Sequence, residues 1–451
     1  MTKRMTLALL STSAPYAWRL GDGSSHDRLK LADYVSLIQT AERGMIDIFF
    51  LADNCGIRED RMGLEPMRGF SSVVIPDAFT LLSTLVAVTS HIGLVATAST
   101  TYNEPYNVAR KLGTLDHLSE GRAGWNVVTS SMDAEAQNFG LDRQLDTADR
   151  YSRAREFLEV TRALWDSWED DAVIVDPESR TYFDPTKVHY LNHAGTHFKV
   201  RGPLSLPRSP QGHPVICQAG GSEDGWEFAA QTADVMYGKA IALDEAHRFY
   251  ADVKGRMKKY GRAPDQLKIL PGLVTSIGRT EKEACDKYRA VQDCLSEDEG
   301  RAMLHHLLPG APLDDVGLDE IVPEQPEIDA AAKRFRIFLN RDGRRLKLRE
   351  VVDFISGGIG HLTLIGSPSQ VADRMVAWLE QEGCDGFNLM PHVLPSGLDD
   401  FVDMVVPELQ ARGVVSEAYG EGTLRDRLGL ARPADARWRI AQGSNLEAMQ
   451  A

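Results

Sequence analysis

Short apolar, β-rich runs alternate along this chain with amphipathic stretches of helical period, regularly enough to predict an architecture. The runs are Thr6–Ser11, Ile46–Ala52, Ile92–Ala98, Ala123–Val128, Val215–Ala219, Asp234–Gly238, Leu267–Leu273 and Gly386–Met390. Each is nearly continuous in apolar residues, as a strand covered on both faces should be. Between them lie Arg28–Arg43, Asp77–Thr89, Pro105–Leu118, Tyr151–Asp166, Glu223–Thr232, Leu243–Tyr260, Glu281–Cys294 and Ser369–Glu382. Eight such units predict an α/β protein of the (β/α)8 TIM-barrel kind rather than an open sheet. A bare barrel takes roughly 250 residues, so a chain of 451 must carry insertions. Turn-rich segments locate them at about 54–76, 170–213 and 296–355, after strands two, four and seven. The second should hold a short hairpin, the third at least two helical pieces. The pattern reads as one domain over 1–430, extended at its C-terminus, with a tail at 431–451; the Arg-rich segment after Val415 is a candidate to wrap a neighbouring subunit.

Composition narrows the partners. A formal net charge of −15, with no Lys/Arg run to offset it, disfavours nucleic acid and anionic membrane surfaces. No stretch approaches the 18 apolar residues of a membrane span, and the apolar run Met5–Leu10 is too short for a signal peptide, which predicts a cytoplasmic protein. Five scattered cysteines without a CxxC pair predict reduced thiols, neither a disulfide framework nor a zinc site. His189, His193 and His197 have the spacing of a helical metal face, but Asn192 and Gly195 between them predict a turn, and no metal is expected.

Candidate chemistry gathers where the strands end, because barrel enzymes build their sites at the carboxyl ends of strands. Asp53 follows Ile48–Ala52, and Ser99 stands in a hydroxyl run closing the third strand. Gly121–Ser130 reads as a buried strand stopping at Asn126, Thr129 and Ser130. In Gln218–Gly225, Gly220 and Gly221 let backbone N–H groups approach a ligand, and Ser222 stands at a helix N-terminus that favours an anion. An ordinary N-cap with acidic Glu223 and Asp224 in its first turn fits the same residues. The common nucleotide, metalloprotease and hydrolase motifs are absent.

GRAGWNVVTS at 121–130, Leu51–Asp53, QAGGSEDG at 218–225 and GFNLMPHVLPSGLDDFVDMVVPELQARG at 386–413 together resemble the luciferase-like flavin monooxygenases. They resemble most the subgroup acting on nitrilotriacetate, ethylenediaminetetraacetate and dibenzothiophene sulfone. The likeness runs from Met5 to about Leu430. It implies a two-component enzyme: a separate NAD(P)H:FMN reductase delivers FMNH2, and the barrel uses it to activate O2 as a flavin hydroperoxide and oxygenate a small organic substrate. It implies FMN contacts at Asp53, Ser99, Tyr151 and Ser222, with Asn126 and Thr129 as weaker carry-overs and Ser222 on the phosphate; Gly221 of the glycine turn and Thr147 are further candidate cofactor contacts. A homodimer or homotetramer is expected; catalytic residues are not assigned.

Two departures stand out. The family often has His four residues before the Tyr, in an H-D-x-R-Y pattern; here Thr147 occupies it, still able to hydrogen-bond but a poorer proton donor. The run Tyr237-Gly238-Lys239-Ala240 is less apolar than the resemblance leads one to expect. Organosulfur, aromatic and aminopolycarboxylate substrates stay open. Thr147 tilts the expectation toward an apolar or aromatic one, with Trp18, Phe49 and Phe79 as candidate cavity walls; Arg334, Arg336, Arg341, Arg344 and Arg345 are candidate carboxylate ligands. The alternatives are an F420- or flavin-dependent hydride-transfer enzyme on the same barrel and a non-catalytic flavin-binding protein.

Overall fold

Eight parallel strands close on themselves: β1 (Thr6–Leu10), β2 (Ile48–Leu51), β3 (Gly93–Ser99), β4 (Ala123–Val128), β5 (Val215–Ala219), β6 (Val235–Gly238), β7 (Lys268–Ile277) and β8 (Gly386–Pro391). The computed structural model describes residues 3–21, 28–57, 63–335, 339–341, 343–358 and 361–434. Neighbours in this order pair in parallel, and Thr6 opposite Gly386 completes the ring between β1 and β8. The helices α1 (Leu31–Arg43), α2 (Ala78–Leu85), α3 (Pro105–Leu118), α4 (Thr147–Trp165), α5 (Glu223–Thr232), α6 (Leu243–Arg256), α7 (Glu281–Gln292) and α8 (Pro368–Glu380) fill the connections, and a helical stretch from Ser396 to Ala411 follows β8. The expected (β/α)8 barrel is therefore the fold.

The strand interior is packed, not open. Inward residues Ala8, Ile48, Phe50, Val95, Val215, Cys217, Val235, Tyr237 and Leu270 form one apolar cluster, with Phe50 stacked on Tyr237 at 4.5 Å. Its floor is supplied by Leu424, Leu428 and Leu430 of the C-terminal segment. That segment, up to Ala434, folds back under its own barrel rather than running free.

β7 is longer than its sequence suggested and recruits a strand the apolar pattern did not single out. β6 stops at Gly238, opposite Pro271, so the second half of β7 has an unpaired edge. Leu362–Gly366 pairs with it in parallel, Leu273 opposite Leu362. The region 170–213 contains two hairpins, Val173–Asp176 with Thr181–Phe183 and His193–Ala194 with Lys199–Val200. The three histidines are separated by this turn structure: His189 contacts Glu169 at 3.0 Å, His193 contacts Glu156 at 3.0 Å and His197 contacts Ser152 at 2.9 Å. Among the described residues no group of three metal-ligating side chains forms, and no helix is long and apolar enough to cross a membrane.

The region 296–355 holds helices Glu297–Leu307, Pro326–Phe335 and Leu348–Gly358. It packs with Tyr16, Met67 and Phe70 into a second apolar cluster beside the barrel mouth. Arg19 pins it there, bonding both carboxylate oxygens of Glu299 at 2.8 and 2.5 Å and holding that carboxyl down at about 2. Insertions after β2 and β7 thus meet over the tip of β1 as one wall.

Candidate active site at the barrel mouth

Side chains at the ends of β2, β3 and β4 are laced to one another. Ser130 adopts a positive φ of 54° as the chain turns off β4. Its hydroxyl lies 3.0 Å from Ser99 Oγ and 3.1 Å from Glu135 Oε1. Glu135, which the motifs did not flag, also accepts the Cys55 N–H at 3.2 Å and so ties the loop after β2 to the tip of β4. Its only signal in the sequence is a carboxylate in the first turn of a short helix after the fourth strand.

Asp53 sits at the same edge. Its Oδ2 accepts the N–H of Ala78 at 3.0 Å, at the start of α2. Burial raises its carboxyl to about 6, helped by the charges of Asp77 and Glu135 and opposed by the Ala78 and Asn54 N–H groups. Such a carboxyl changes charge near neutrality, as acid–base or ring-contacting groups in active sites do. The raised value means the fold disfavours the ionised form, so Asp53 lowers stability above pH about 6 and ceases to do so as pH falls toward its ordinary value. We expect Asp53→Asn, which keeps the acceptor for Ala78, to raise the urea midpoint of unfolding at pH 7.5 more than at pH 5. A gap that is independent of pH would show that burial does not hold this carboxyl up.

Thr129 and Thr147 are joined through Arg150. The guanidinium of Arg150 reaches Thr129 Oγ1 at 3.3 Å, Thr147 Oγ1 at 3.0 Å and the Ser130 carbonyl. Thr147, at the first turn of α4, is exposed and acts as an acceptor for this arginine. Arg150 directly precedes Tyr151 in the run Thr147-Ala148-Asp149-Arg150-Tyr151, yet only the geometry reveals that it organises the β4 tip.

Asn126 lies deeper than its place in the motif suggested. It is 3% exposed, three residues short of the turn, with Nδ2 on Thr97 Oγ1 at 3.0 Å and Oδ1 without a partner among the described residues. It lines the barrel beneath the mouth.

At the neighbouring tip of β5, Ser222 caps α5 by accepting the Gly225 N–H at 3.2 Å, which leaves its hydroxyl proton available to donate. Gly220–Asp224 curve around open space: a Cβ added at Gly221 would meet nothing within 4 Å, and residues 221–224 are exposed. Tyr151 closes one side. Its hydroxyl would lie 3.1 Å from a Cβ at Gly225, against 3.3 Å for Ser222 Oγ, and its ring packs edge-on to Phe228 at 5.9 Å. Glu223, an apparent obstacle to an anion, turns aside to Arg256 at 2.6 Å. Backbone N–H groups at a helix N-terminus, a hydroxyl donor and a phenol around open space suit a phosphate.

The candidate cavity walls divide. Trp18 is 39% exposed at the rim, whereas Phe49 is fully buried on the helix-facing side of β2 and Phe79 packs against the same outer core. Phe49 therefore cannot line a cavity inside the barrel. Arg344 and Arg345 form ion pairs with Glu350 and Asp329 on the insertion, and Arg336, with the side chains of Arg334 and Arg341, lies outside the described residues.

Comparison with known proteins bears on the family and the fold. A family model described as luciferase-like monooxygenase matches residues 12–386. Nitrilotriacetate monooxygenase component A of Aminobacter aminovorans is 46% identical over 432 residues, covering 93% of this chain and 94% of that protein. N-acetyl-S-(2-succino)cysteine monooxygenase of Bacillus subtilis (strain 168) is 43% identical over 422 residues, with 93% and 94% covered. A riboflavin lyase crystallised with modified FMN and riboflavin superposes with a TM-score of 0.82 at 30% identity, covering 96% of this chain and 97% of that one. With sequence motifs, barrel and full-length relatives in agreement, this chain belongs to the luciferase-like monooxygenase family, as a flavin-dependent monooxygenase.

Proposed function

We propose that this chain is the oxygenase component of a two-component system. It takes FMNH2 from a separate NAD(P)H:FMN reductase and uses O2 to oxygenate a small organic substrate. The observation that carries the reading is the cradle at Gly221–Gly225, open and hydroxyl-lined, with Glu223 drawn aside by Arg256. One relative is by name a component A, and one related structure holds a modified FMN, which supports the same reading. Five free cysteines fit a reducing compartment, the cytoplasm.

In this reading Ser222, Tyr151 and the backbone N–H groups from Gly221 onward hold the FMN phosphate. Asp53 and Ser99 border the isoalloxazine ring, and Arg150 fixes Thr129 and Thr147 beside it. Asn126, buried below these residues, would offer the bound flavin an amide oxygen that has no partner among the described residues. Reduced FMN, when bound, supplies the electrons that activate O2. The chain orients the reacting partners, and the wall built from the insertions after β2 and β7 keeps water away from them.

Ser222→Ala is expected to weaken FMN binding by about 1–3 kcal/mol, the scale of one hydrogen bond to a charged group. Titration followed by flavin fluorescence measures it, and an unchanged affinity would remove Ser222 from the phosphate site. The reading as a whole is tested by binding FMNH2 anaerobically and adding an oxygen pulse. A delayed return of oxidised-flavin absorbance, with product formed when substrate is present, is the expected result. Immediate reoxidation together with tight binding of F420 would transfer the chain to hydride-transfer chemistry. The names of the two relatives denote carboxylate-bearing molecules; which substrate class this chain takes is a question for its own residues.

A further inference from the structure

A basic, polar recess lies between the tips of β6 and β7, apart from the residues proposed to hold flavin. Gly238 ends β6 opposite Pro271, so Lys239 stands level with Gly272 of β7. A Cβ at Gly238 would strike Phe249 of α6 at 2.7 Å, which marks the outward face. Tyr237 before it is buried in the inner cluster, and strand alternation turns Lys239 toward the barrel axis as well. At Gly272 an added Cβ would fall 2.3 Å from His361 Nδ1. Glycine at 272 leaves the room that the imidazole of His361 fills. Gly272 is in turn opposite Asn388 of β8, which is 4% exposed.

The recess has unmet hydrogen-bonding capacity. His361 Nδ1 and Asn388 Oδ1 are buried, and among the described residues neither has a partner. Burial, with the charge of Lys239 as a second cause, lowers the His361 imidazole to about 3, so the ring is neutral at physiological pH and carries one N–H. Unmet buried polar atoms are costly, and two of them on either side of one glycine point to a molecule that satisfies them when it binds.

We propose that this recess recognises a carboxylate of the substrate, with the Lys239 ammonium supplying the charge and the His361 ring an N–H. Asn388 Oδ1 accepts an N–H or O–H of the same molecule. The proposal rests on the monooxygenase reading above and names its substrate class, against the expectation of an apolar substrate drawn from Thr147. Carboxylate recognition here is a matter of binding and orientation; Lys239 is not asked to take part in oxygen transfer.

Nitrilotriacetate and its uncharged trimethyl ester serve as probes, titrated calorimetrically into the protein with and without FMN. The parent protein should bind the tricarboxylate and discriminate against the ester. Lys239→Met should weaken tricarboxylate binding ten- to a hundredfold while leaving FMN affinity unchanged, and Lys239→Arg should restore most of it. A parent protein that does not distinguish acid from ester overturns the proposal. So does a Lys239→Met protein with unchanged tricarboxylate affinity, or one that loses FMN binding alone. Failure of the parent protein to bind reduced FMN would instead sink the monooxygenase reading, while the titration without flavin still judges the recess.

Discussion

Asp234→Ala is expected to lower the free energy of unfolding by about 3–5 kcal/mol, the scale of removing one partner from a buried ion pair. Asp234 sits just before β6, at the end of the barrel opposite the candidate site. Its Oδ2 accepts the Ile216 N–H at 2.9 Å, and its two oxygens take the Arg425 guanidinium at 3.2 and 2.8 Å. The Arg425 side chain is only 5% exposed, so alanine would leave that guanidinium buried and unpaired by its main counter-charge. Arg425 lies within Leu424–Arg427, so the loss also loosens the leucine floor of the barrel.

The pH dependence gives the prediction a sign. Burial pushes the Asp234 carboxyl up, but the charge and hydrogen bonds of Arg425 outweigh it, and the group lies below its usual value of 3.8. A depressed carboxyl contributes stability that is present above the unfolded value and is lost as pH falls through the folded one. The difference between parent and variant in urea unfolding should therefore hold from pH 7 to 5 and shrink below about pH 4. Equal stability at pH 7 would mean that Arg425 does not depend on this carboxylate. Asp47, Asp116 and Asp385 repeat the strand contact at the same end, accepting the N–H groups of Leu7, Ala123 and Ile269. Four aspartates thus hold the barrel bottom, while the candidate chemistry lies at the other end.

Gly386→Ala is expected to be the more damaging change, above about 4 kcal/mol, where core substitutions with large effects lie. Gly386 has φ +155°, and a Cβ there would lie 1.8 Å from the carbonyl oxygen of Thr6 and 2.6 Å from its backbone N and C. Those are backbone atoms of β1 and cannot swing aside. Thr6 and Gly386 face each other across the β1–β8 pairing that closes the barrel, so the methyl group opens the ring. Gly255→Ala provides the control: it lies in α6, where an added Cβ meets nothing within 4 Å, and helix propensity favours alanine there. Soluble yield and urea midpoint should fall sharply for Gly386→Ala and hold or rise for Gly255→Ala. Similar behaviour of the two would contradict the close approach at Thr6.

Much of the fold could be read in advance because parallel strands buried on both faces must be apolar, and because helices that cover them must be amphipathic. All eight barrel strands fall on apolar runs of the chain, and Ser222 was recognisable as a helix cap facing a glycine turn. Leu362–Gly366 escaped because its pairing depends on β6 ending early and exposing the edge of β7, a fact of register rather than composition. Phe49 reads as a cavity wall in the sequence because residues of a doubly buried strand look alike; only the barrel's curvature decides which of them face inward.

The sequence by itself determined the order of elements, the barrel they form and the strand tips at which polar groups gather, since hydrophobic burial and backbone geometry act locally along the chain. The tertiary structure alone decided which of those groups meet. Arg150 joins Thr129 to Thr147, Glu135 links Ser130 to the loop after β2, and Asn126 lies below the mouth. The leucines after residue 423 close the barrel floor, and His361 fills the space that Gly272 leaves open. Each of these contacts depends on strand register and closure, which bring together residues that no local pattern relates.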